Sequence, residues 1–370
     1  MPEVIVIGAG PVGLLLSAEL NRRGIGVALI ESREQAGPGS RAIGIHPPTL
    51  AALEGSGVTD RLLQGAVRVS RGEARSQGQL LGAVRFDQLP TRFPFVATLP
   101  QEATEQILAA EAPGVQRGVT VTAITQSEQQ VTLQTSEGER RAPIVVLAGG
   151  SRSRALVYTN SAAQSYPDRY LMVDTHVAAA EDSSTAVIHL DEGGVLESFP
   201  LPGGRRRFVA WDAPHADQDP TAQQSRMERT LAVRDHRLEG TTRGFGVRRY
   251  VAPSLRNGRV FVIGDAAHEV SPIGGQGMNL GLLDAASLAP LLTDWVRSGH
   301  APEAELRRWE RARVGSARRA AAMAGLNTRL GRPAPRALSA LRSNVVQLML
   351  GPGAGRLMTR AYAMGFDHHA

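Results

Sequence analysis

The chain has 370 residues, 42% of them hydrophobic, no cysteine and a formal net charge of +6. The missing cysteines exclude disulfides, thiolate nucleophiles and zinc–thiolate sites. All 41 basic residues are arginine, which excludes lysine chemistry such as Schiff bases and PLP attachment.

The pI of about 10.5 follows from arginine, which does not titrate near neutrality, so no nucleic-acid partner is expected. A chain of this size predicts two or three domains or lobes. No apolar run reaches the roughly 18 residues of a membrane span. The N-terminus enters the strand pattern Val4-Ile5-Val6-Ile7 at once, so no secretory signal is expected and the expected location is cytoplasmic.

In chain order, Met1 to about Val69 reads as strand, Gly-rich turn, helix, strand, loop and helix, the first helix running from Val12 to Arg23 and stopping at Gly24. Arg71 to Val96 reads as short strands and turns. Gln101 to Ala112 is a helix stopped by Pro113-Gly114. A strand pair covers Val119 to Thr135, and Ile144 to Leu147 is a buried strand. Tyr170 to Trp211 alternates as strands around a Gly203-Gly204 turn. Arg259 to Ile263 is another buried strand, followed by a Gly-rich stretch and a helix over Leu280 to Ser298; the tail from Pro302 is helical and rich in Ala and Arg. This order predicts an α/β protein. A Rossmann-type dinucleotide domain is assembled from residues 1–70, 97–160 and 252–300. A β-rich substrate domain, 71–96 and 161–251, is inserted into it, and a helical segment, 301–370, closes the chain.

Gly8-Ala9-Gly10-Pro11-Val12-Gly13 is a G-x-G-x-x-G between a hydrophobic strand and a helix. Gly8 permits the tight turn, Gly10 lets backbone approach a pyrophosphate, and Gly13 lets helix and strand pack closely. The helix N-terminus then presents unpaired N–H groups to the phosphates. Glu31 ends the second strand about 20 residues on, where an acid accepts from ribose hydroxyls. This motif does not separate FAD from NAD.

Gly264-Asp265-Ala266-Ala267-His268 follows a second buried strand and leads through Pro272-Ile273-Gly274-Gly275-Gln276-Gly277-Met278-Asn279 into a helix. A carboxylate at the strand end, Asp265, can accept from ribityl hydroxyls. The glycines let backbone N–H groups reach the flavin N1–C2=O edge, and the helix points its positive end there. NAD has no ribityl chain, so the pair of motifs indicates FAD.

These pieces resemble the class A flavoprotein monooxygenases, the para-hydroxybenzoate hydroxylase-like family with its glutathione-reductase-like FAD domain. The resemblance runs from Val4 to about Arg297. It includes Ile30 to Arg33, Ser40 to Pro47, Leu99 to Gln101 and Gly258 to Leu282. It implies that Ser32, Arg33 and Arg41 serve the ribose and pyrophosphate side of FAD. Gln101 would also touch FAD, and Val121 would lie beside the adenine. Gly264 and Asp265 would serve the ribityl chain, while Pro272, Gly275, Gly277, Met278 and Asn279 would line the ring. One position departs from the pattern: Gly149, in Ala148-Gly149-Gly150-Ser151-Arg152-Ser153, stands where the family carries an Asp associated with FAD and NAD(P)H handling.

The resemblance further implies NAD(P)H as co-substrate and oxygen adding at flavin C4a as a hydroperoxide, from which a small aromatic, polyketide or quinone-precursor substrate is hydroxylated. The runner-up is an FAD-dependent reductase of the same fold, such as a prenyl-chain reductase, without oxygen insertion. The chain has no second G-x-G-x-x-G for NAD(P)H; Gly351-Pro352-Gly353-Ala354-Gly355 lacks the strand and reads as a turn. No catalytic residue is fixed, the flavin doing the chemistry, and His46 and Pro272 are the candidates.

His46, just before Pro47-Pro48, could touch flavin or substrate, although a cap or surface residue is the commoner fate. Arg205-Arg206-Arg207 reads as a solvated hairpin tip rather than an anion site. His268 is expected to orient its loop, and His368-His369 to be a loose tail. No histidine spacing suits a metal. The Arg-rich C-terminal segment reads first as a helical cap on the FAD domain; a weak contact with an anionic membrane surface is the alternative. The chain is expected to be a monomer or homodimer.

Overall fold

The computed structural model describes residues 1–370 except 36, 38–41, 160, 178–183 and 368–370, so Arg41 and the pair His368-His369 lie outside the described residues. Val4–Ile7 is apolar at every position and fully flanked. It forms the middle of a six-stranded sheet, parallel to Val27–Glu31 on one side and Ile144–Leu147 on the other. Unbroken apolar runs of this kind suit strands covered on both faces. Val115–Arg117 extends the sheet on one edge, and Val260–Val262 with the short antiparallel strand Arg256–Asn257 on the other.

The helix Pro11–Arg22 buries Leu14, Leu15, Leu16 and Leu20 against this sheet. The long helix Gly277–Ser298 lies beside it, and the two approach so closely that a Cβ on Gly281 would sit 2.5 Å from the Val12 side chain. Both helices therefore start at the carboxyl ends of the parallel strands, on the same side of the sheet.

A second sheet has eight strands, ordered His268–Glu269, Arg243–Val251, Gln164–His176, Arg205–Asp212, Gly194–Leu201, Thr185–Asp191, Arg71–Ser76 and Gln79–Arg85. Segments on either side of residues 97–160 thus meet in one sheet, through the parallel pairing of Thr185–Asp191 with Arg71–Ser76. One face is closed by the helix Pro220–Ala232, whose Met227 and Leu231 pack on Leu171, Val173 and Phe208. The other face carries Met172, Leu190, Val195 and Val209.

The C-terminal helices Glu303–Leu330, Arg336–Leu350 and Gly355–Tyr362 cover the junction of the two sheets. Val346 joins the apolar cluster of the eight-stranded sheet, and Ala317 and Ala320 pack on Leu280 and Leu283. Gly351 to Ala354 turns the chain between the last two helices, as its composition predicts. Leu338, Leu341 and Leu348 remain exposed on the outer side of Arg336–Leu350. No helix among the described residues is long and apolar enough to cross a membrane.

One reading from the sequence is corrected. Arg206 and Arg207 are not a solvated tip. The hairpin turns at Gly203 and Gly204 as expected, but the arginines have already entered the strand and are buried. Arg206 donates to the Ser198 hydroxyl and to the carbonyls of Ser198 and Thr185 on one face. Arg207 forms a two-pronged pair with Asp174 on the other, at 2.6 and 2.7 Å. A buried guanidinium is tolerated only when its donors are taken up in this way.

Candidate functional site

A single continuous cavity of about 760 Å³ runs from the Gly8–Gly10 turn to the apolar face of the eight-stranded sheet. It is built at its first end by the crossing of strand ends and helix N-termini. Gly13 packs so tightly on the preceding turn that a Cβ would lie 1.9 Å from the Gly8 carbonyl oxygen. Gly10, by contrast, faces open space, with nothing within 4 Å of the place a Cβ would take. The helix Pro11–Arg22 begins there with no side-chain cap, leaving its first N–H groups for an anion.

Glu31 holds the neighbouring strand end. Its carboxylate accepts the Ala9 amide at 2.9 Å and the Arg33 backbone and side chain at 3.0 and 3.1 Å. Burial alone would raise its pKa, but these hydrogen bonds outweigh it and bring it to about 2. Glu31 is therefore ionised at any physiological pH. Ser32, Arg33 and Gln101 line the same end.

The middle of the cavity is walled by Gly149, Asp265 and the loop Pro272 to Met278. Asp265 sits exposed in the short 3-10 turn that ends Val260–Val262. The turn is pinned from below: Asp284 accepts the Gly264 amide at 3.1 Å, the His268 ring at 2.5 Å and Arg313 at 2.8 Å. Burial opposes the charge on Asp284, but the His268 and Arg313 charges and hydrogen bonds prevail and hold its pKa at about 2. His268 thus ties the turn to the long helix, and Arg313 adds the C-terminal segment to the same knot. The sequence held a weak sign of this in Asp284, one helical stretch after Asp265, but nothing in it marked Arg313 among the many tail arginines.

The helix Gly277–Ser298 also starts without a side-chain cap, its first turn at the cavity wall. Asn279 is fully buried and does not line the cavity. It locks the wall instead, accepting the His46 amide at 2.9 Å and donating to the Gly44 and Gly275 carbonyls at 2.8 and 3.2 Å. His46 is buried, with Nδ1 unpartnered, and lines the cavity beside Gly275. Burial lowers its pKa to about 4, against the opposing effect of hydrogen bonding to the backbone of Gly275 and Tyr362. The ring is neutral near pH 7.

The residues expected from the sequence therefore gather as follows. Gly8, Gly10, Pro11, Val12, Glu31, Ser32, Arg33 and Gln101 surround one end, and Gly149 lies between that end and the middle. Asp265, Pro272, Gly275, Gly277, Met278 and His46 surround the middle. Gly13, Gly264 and Asn279 stand immediately behind the wall. Val121 does not line the cavity; it is half-buried at the start of the separate strand Val121–Gln126. Among the described residues no cluster of His, Asp and Glu could hold a metal ion.

These features fit FAD. An uncapped helix start with an open glycine suits the pyrophosphate, an ionised acid suits ribose, a carboxylate at a strand end suits a ribityl chain, and a second uncapped helix start suits the flavin pyrimidine edge. The far end of the cavity was only partly anticipated. Phe199, Val209 and Phe245 come from the expected substrate strands, but Asn327, Val346, Leu350 and Tyr362 come from the C-terminal helices. Of the other side chains considered from the sequence, Phe208 faces the opposite side, and His176 is exposed beside Glu239.

Comparison with known proteins agrees with this geometry. The family model described as FAD binding domain matches residues 1–324. The 6-methylpretetramide 4-monooxygenase of Streptomyces rimosus is 34% identical over 327 residues, covering 82% of this chain and 57% of that protein. The rifampicin monooxygenase of Streptomyces venezuelae is 32% identical over 325 residues, covering 82% and 66%. The chain thus spans about three-fifths of the length of these curated relatives. The crystal structure of p-nitrophenol 4-monooxygenase PnpA from Pseudomonas putida DLL-E4 superposes with a TM-score of 0.84 over 99% of this chain and 98% of that one, at 24% identity, which establishes the shared fold.

Proposed function

The chain belongs to the FAD binding domain family, among the class A flavoprotein monooxygenases, and from that premise we propose that it is an NAD(P)H-dependent, FAD-dependent monooxygenase that hydroxylates a small aromatic or polyketide substrate. The observation that carries the reading is the continuity of the cavity. One space joins the glycine turn and Glu31 to the apolar sheet face through the loop at Pro272 to Met278. A flavin lying along the first two-thirds would present its ring to whatever occupies the last third.

FAD would supply the redox and oxygen chemistry when bound. The protein's contribution is positional. Gly8, Gly10 and Glu31 would hold the nucleotide end and Asp265 the ribityl chain, and the start of the helix Gly277–Ser298 would favour negative charge on the ring. The apolar far end, closed by helices of the C-terminal segment, keeps water from the reacting atoms. His46 stays neutral beside the loop and adds no charge there. The relatives' monooxygenase names weigh against a reductase of the same fold.

The test supplies NADH or NADPH, a panel of electron-rich aromatics and oxygen-18 gas to the flavin-loaded protein. Substrate-stimulated NAD(P)H oxidation with one labelled atom in the product is expected. Reduction of an organic substrate with no labelled oxygen would transfer the assignment to the reductase.

A further inference from the structure

The far end of the cavity contains one carboxyl group that the proposed reaction does not use. Glu197 lies in the middle of the strand Gly194–Leu201, opposite Ile188 on one neighbouring strand and Val209 on the other. It is 4% exposed and lines the cavity together with Val195 and Phe199. No hydrogen bond or ion pair reaches its carboxyl from the described residues, and burial is the only influence on its pKa. A carboxyl left without a partner among apolar side chains costs stability, so its retention calls for a partner that arrives from outside the chain.

The surrounding charges are committed elsewhere. Arg207, two residues along from Val209, is held by Asp174 at 2.6 and 2.7 Å. Glu73 across the sheet is paired with Arg71 and Arg75. Asp168 is taken by Arg332 at 2.7 Å and by Trp211. The two hydroxyl groups near enough to feel a Glu197 charge are those of Tyr170, from the strand Gln164–His176, and Tyr362, from the last helix; burial first, and then that charge among others, raises both pKa values, Tyr362 to about 12. Tyr362 donates to the side-chain oxygen of Asn327 at 2.7 Å, and the side-chain nitrogen of Asn327 stands against Gly274. Glu197 therefore belongs to the stretch of cavity that adjoins the Pro272–Gly275 loop.

We propose that Glu197 is a specificity-determining residue that hydrogen-bonds the carbonyl oxygen of an uncharged aromatic ligand. The inference rests on reading the apolar end of the cavity as the substrate end. Burial pushes the Glu197 carboxyl up to about 8, so at neutral pH it carries its proton and donates. Among the described residues no cation at this end is left over to receive a carboxylate ligand, whereas an aryl ketone or quinone-like carbonyl meets a ready donor in an apolar slot. Above about pH 8 the acid ionises, the donor is lost, and a carbonyl oxygen faces a negative charge instead.

The experiment measures calorimetric binding of 2-acetylnaphthalene, and of 2-ethylnaphthalene as its counterpart without an acceptor, to the flavin-loaded protein from about pH 6 to about pH 9, a range in which neither ligand titrates and Glu197 does. The wild type should prefer the ketone by about fivefold to tenfold below pH 8, the worth of one hydrogen bond, and lose that preference as pH rises. Glu197→Gln, which keeps a donor and cannot ionise, should retain the preference at every pH. Glu197→Leu, which suits the apolar surroundings, should show none. A preference that is flat with pH in the wild type, or unchanged in Glu197→Leu, overturns the proposal, as does failure of both naphthalenes to bind. No reductant is present, so the outcome is independent of whether oxygen is transferred to a product.

Discussion

The side-chain oxygen of Asn279 accepts the backbone N–H of His46 at 2.9 Å, joining positions 233 residues apart at the wall of the cavity. The same amide donates to Gly44 and Gly275, so one side chain sets the distance between the segment before the helix Pro47–Glu54 and the loop before Gly277–Ser298. Asn279→Ala leaves the buried His46 amide without its partner and takes one donor from each of two carbonyls. The expected cost is about 1–3 kcal/mol for the orphaned donor, with flavin lost more readily than secondary structure. Urea unfolding together with flavin retention on gel filtration measures both. A variant equally stable and equally yellow would show that the wall does not depend on this residue.

Asp265→Ala should weaken FAD retention while the fold survives. The side chain is exposed to the cavity from a turn whose shape is held by other atoms, chiefly Asp284 and the Arg154 guanidinium that donates to the Asp265 carbonyl at 2.8 Å. The turn keeps these other ties when the side chain is removed, so the fold is expected to survive. Loss of a hydrogen bond from a charged acceptor predicts about 1.5–3 kcal/mol, read as a rise in the flavin dissociation constant by fluorescence titration. Unchanged affinity would place the ribityl chain elsewhere.

Most of the glycine-turn end of the cavity was legible because its geometry is local. Gly8 to Gly13 and Gly264 to Asn279 each sit between a strand and a helix that their own neighbours specify. The far end was not legible, for physical reasons. Whether Arg206 and Arg207 are solvated depends on Ser198, Thr185 and Asp174, which only pairing in the sheet brings opposite them. Tyr362 and Asn327 reach the cavity through the packing of the C-terminal helices, a relation that carries no sequence period. Nothing in the sequence singles out Glu197 within the alternating stretch Tyr170 to Trp211, and its inward direction appears only once the register against Ile188 and Val209 is known.

Asp284, His268 and Arg313 should make the protein acid-sensitive in a defined window. The carboxyl of Asp284 titrates at about 2 in the folded chain against an ordinary value of 3.8. A depressed carboxyl contributes stability that is complete above its unfolded value and is lost as pH falls from about 4 to about 2. Glu31, also brought to about 2, adds to the same loss. Asp284→Asn takes the carboxylate out of a buried ionic cluster and leaves Arg313 with only Asp367 at 3.5 Å and the Leu280 carbonyl at 3.1 Å, at an expected cost of about 3–5 kcal/mol near neutrality. Because the variant has no carboxyl to protonate there, its stability gap from the wild type should narrow as pH falls through that window. Urea midpoints at about pH 7 and pH 3 decide it, and a gap independent of pH would remove the linkage.

Gly149 bears on the reducing half of the proposed reaction. It lines the cavity beside Gly8, and a Cβ there would lie 2.9 Å from both Cβ and Oγ of Ser153. Ser153 is in turn fixed by donating to the Gly150 carbonyl at 2.8 Å. The glycine thus allows the short 3-10 turn Ser153–Leu156 to close onto the strand end, where the family resemblance implies an Asp. Without that carboxylate the wild type lacks one acceptor at the cavity wall, and reduction by NAD(P)H is expected to be slow until an aromatic ligand is bound. Anaerobic stopped-flow reduction with and without such a ligand measures this. Gly149→Asp should restore ligand-independent reduction, but it has to displace Ser153, an overpacking cost of about 1–3 kcal/mol visible as a lower unfolding midpoint. Pairing it with Ser153→Gly relieves the contact and separates the two effects. Fast reduction of the wild type without ligand, unaffected in either variant, would show that the carboxylate has no part in gating here.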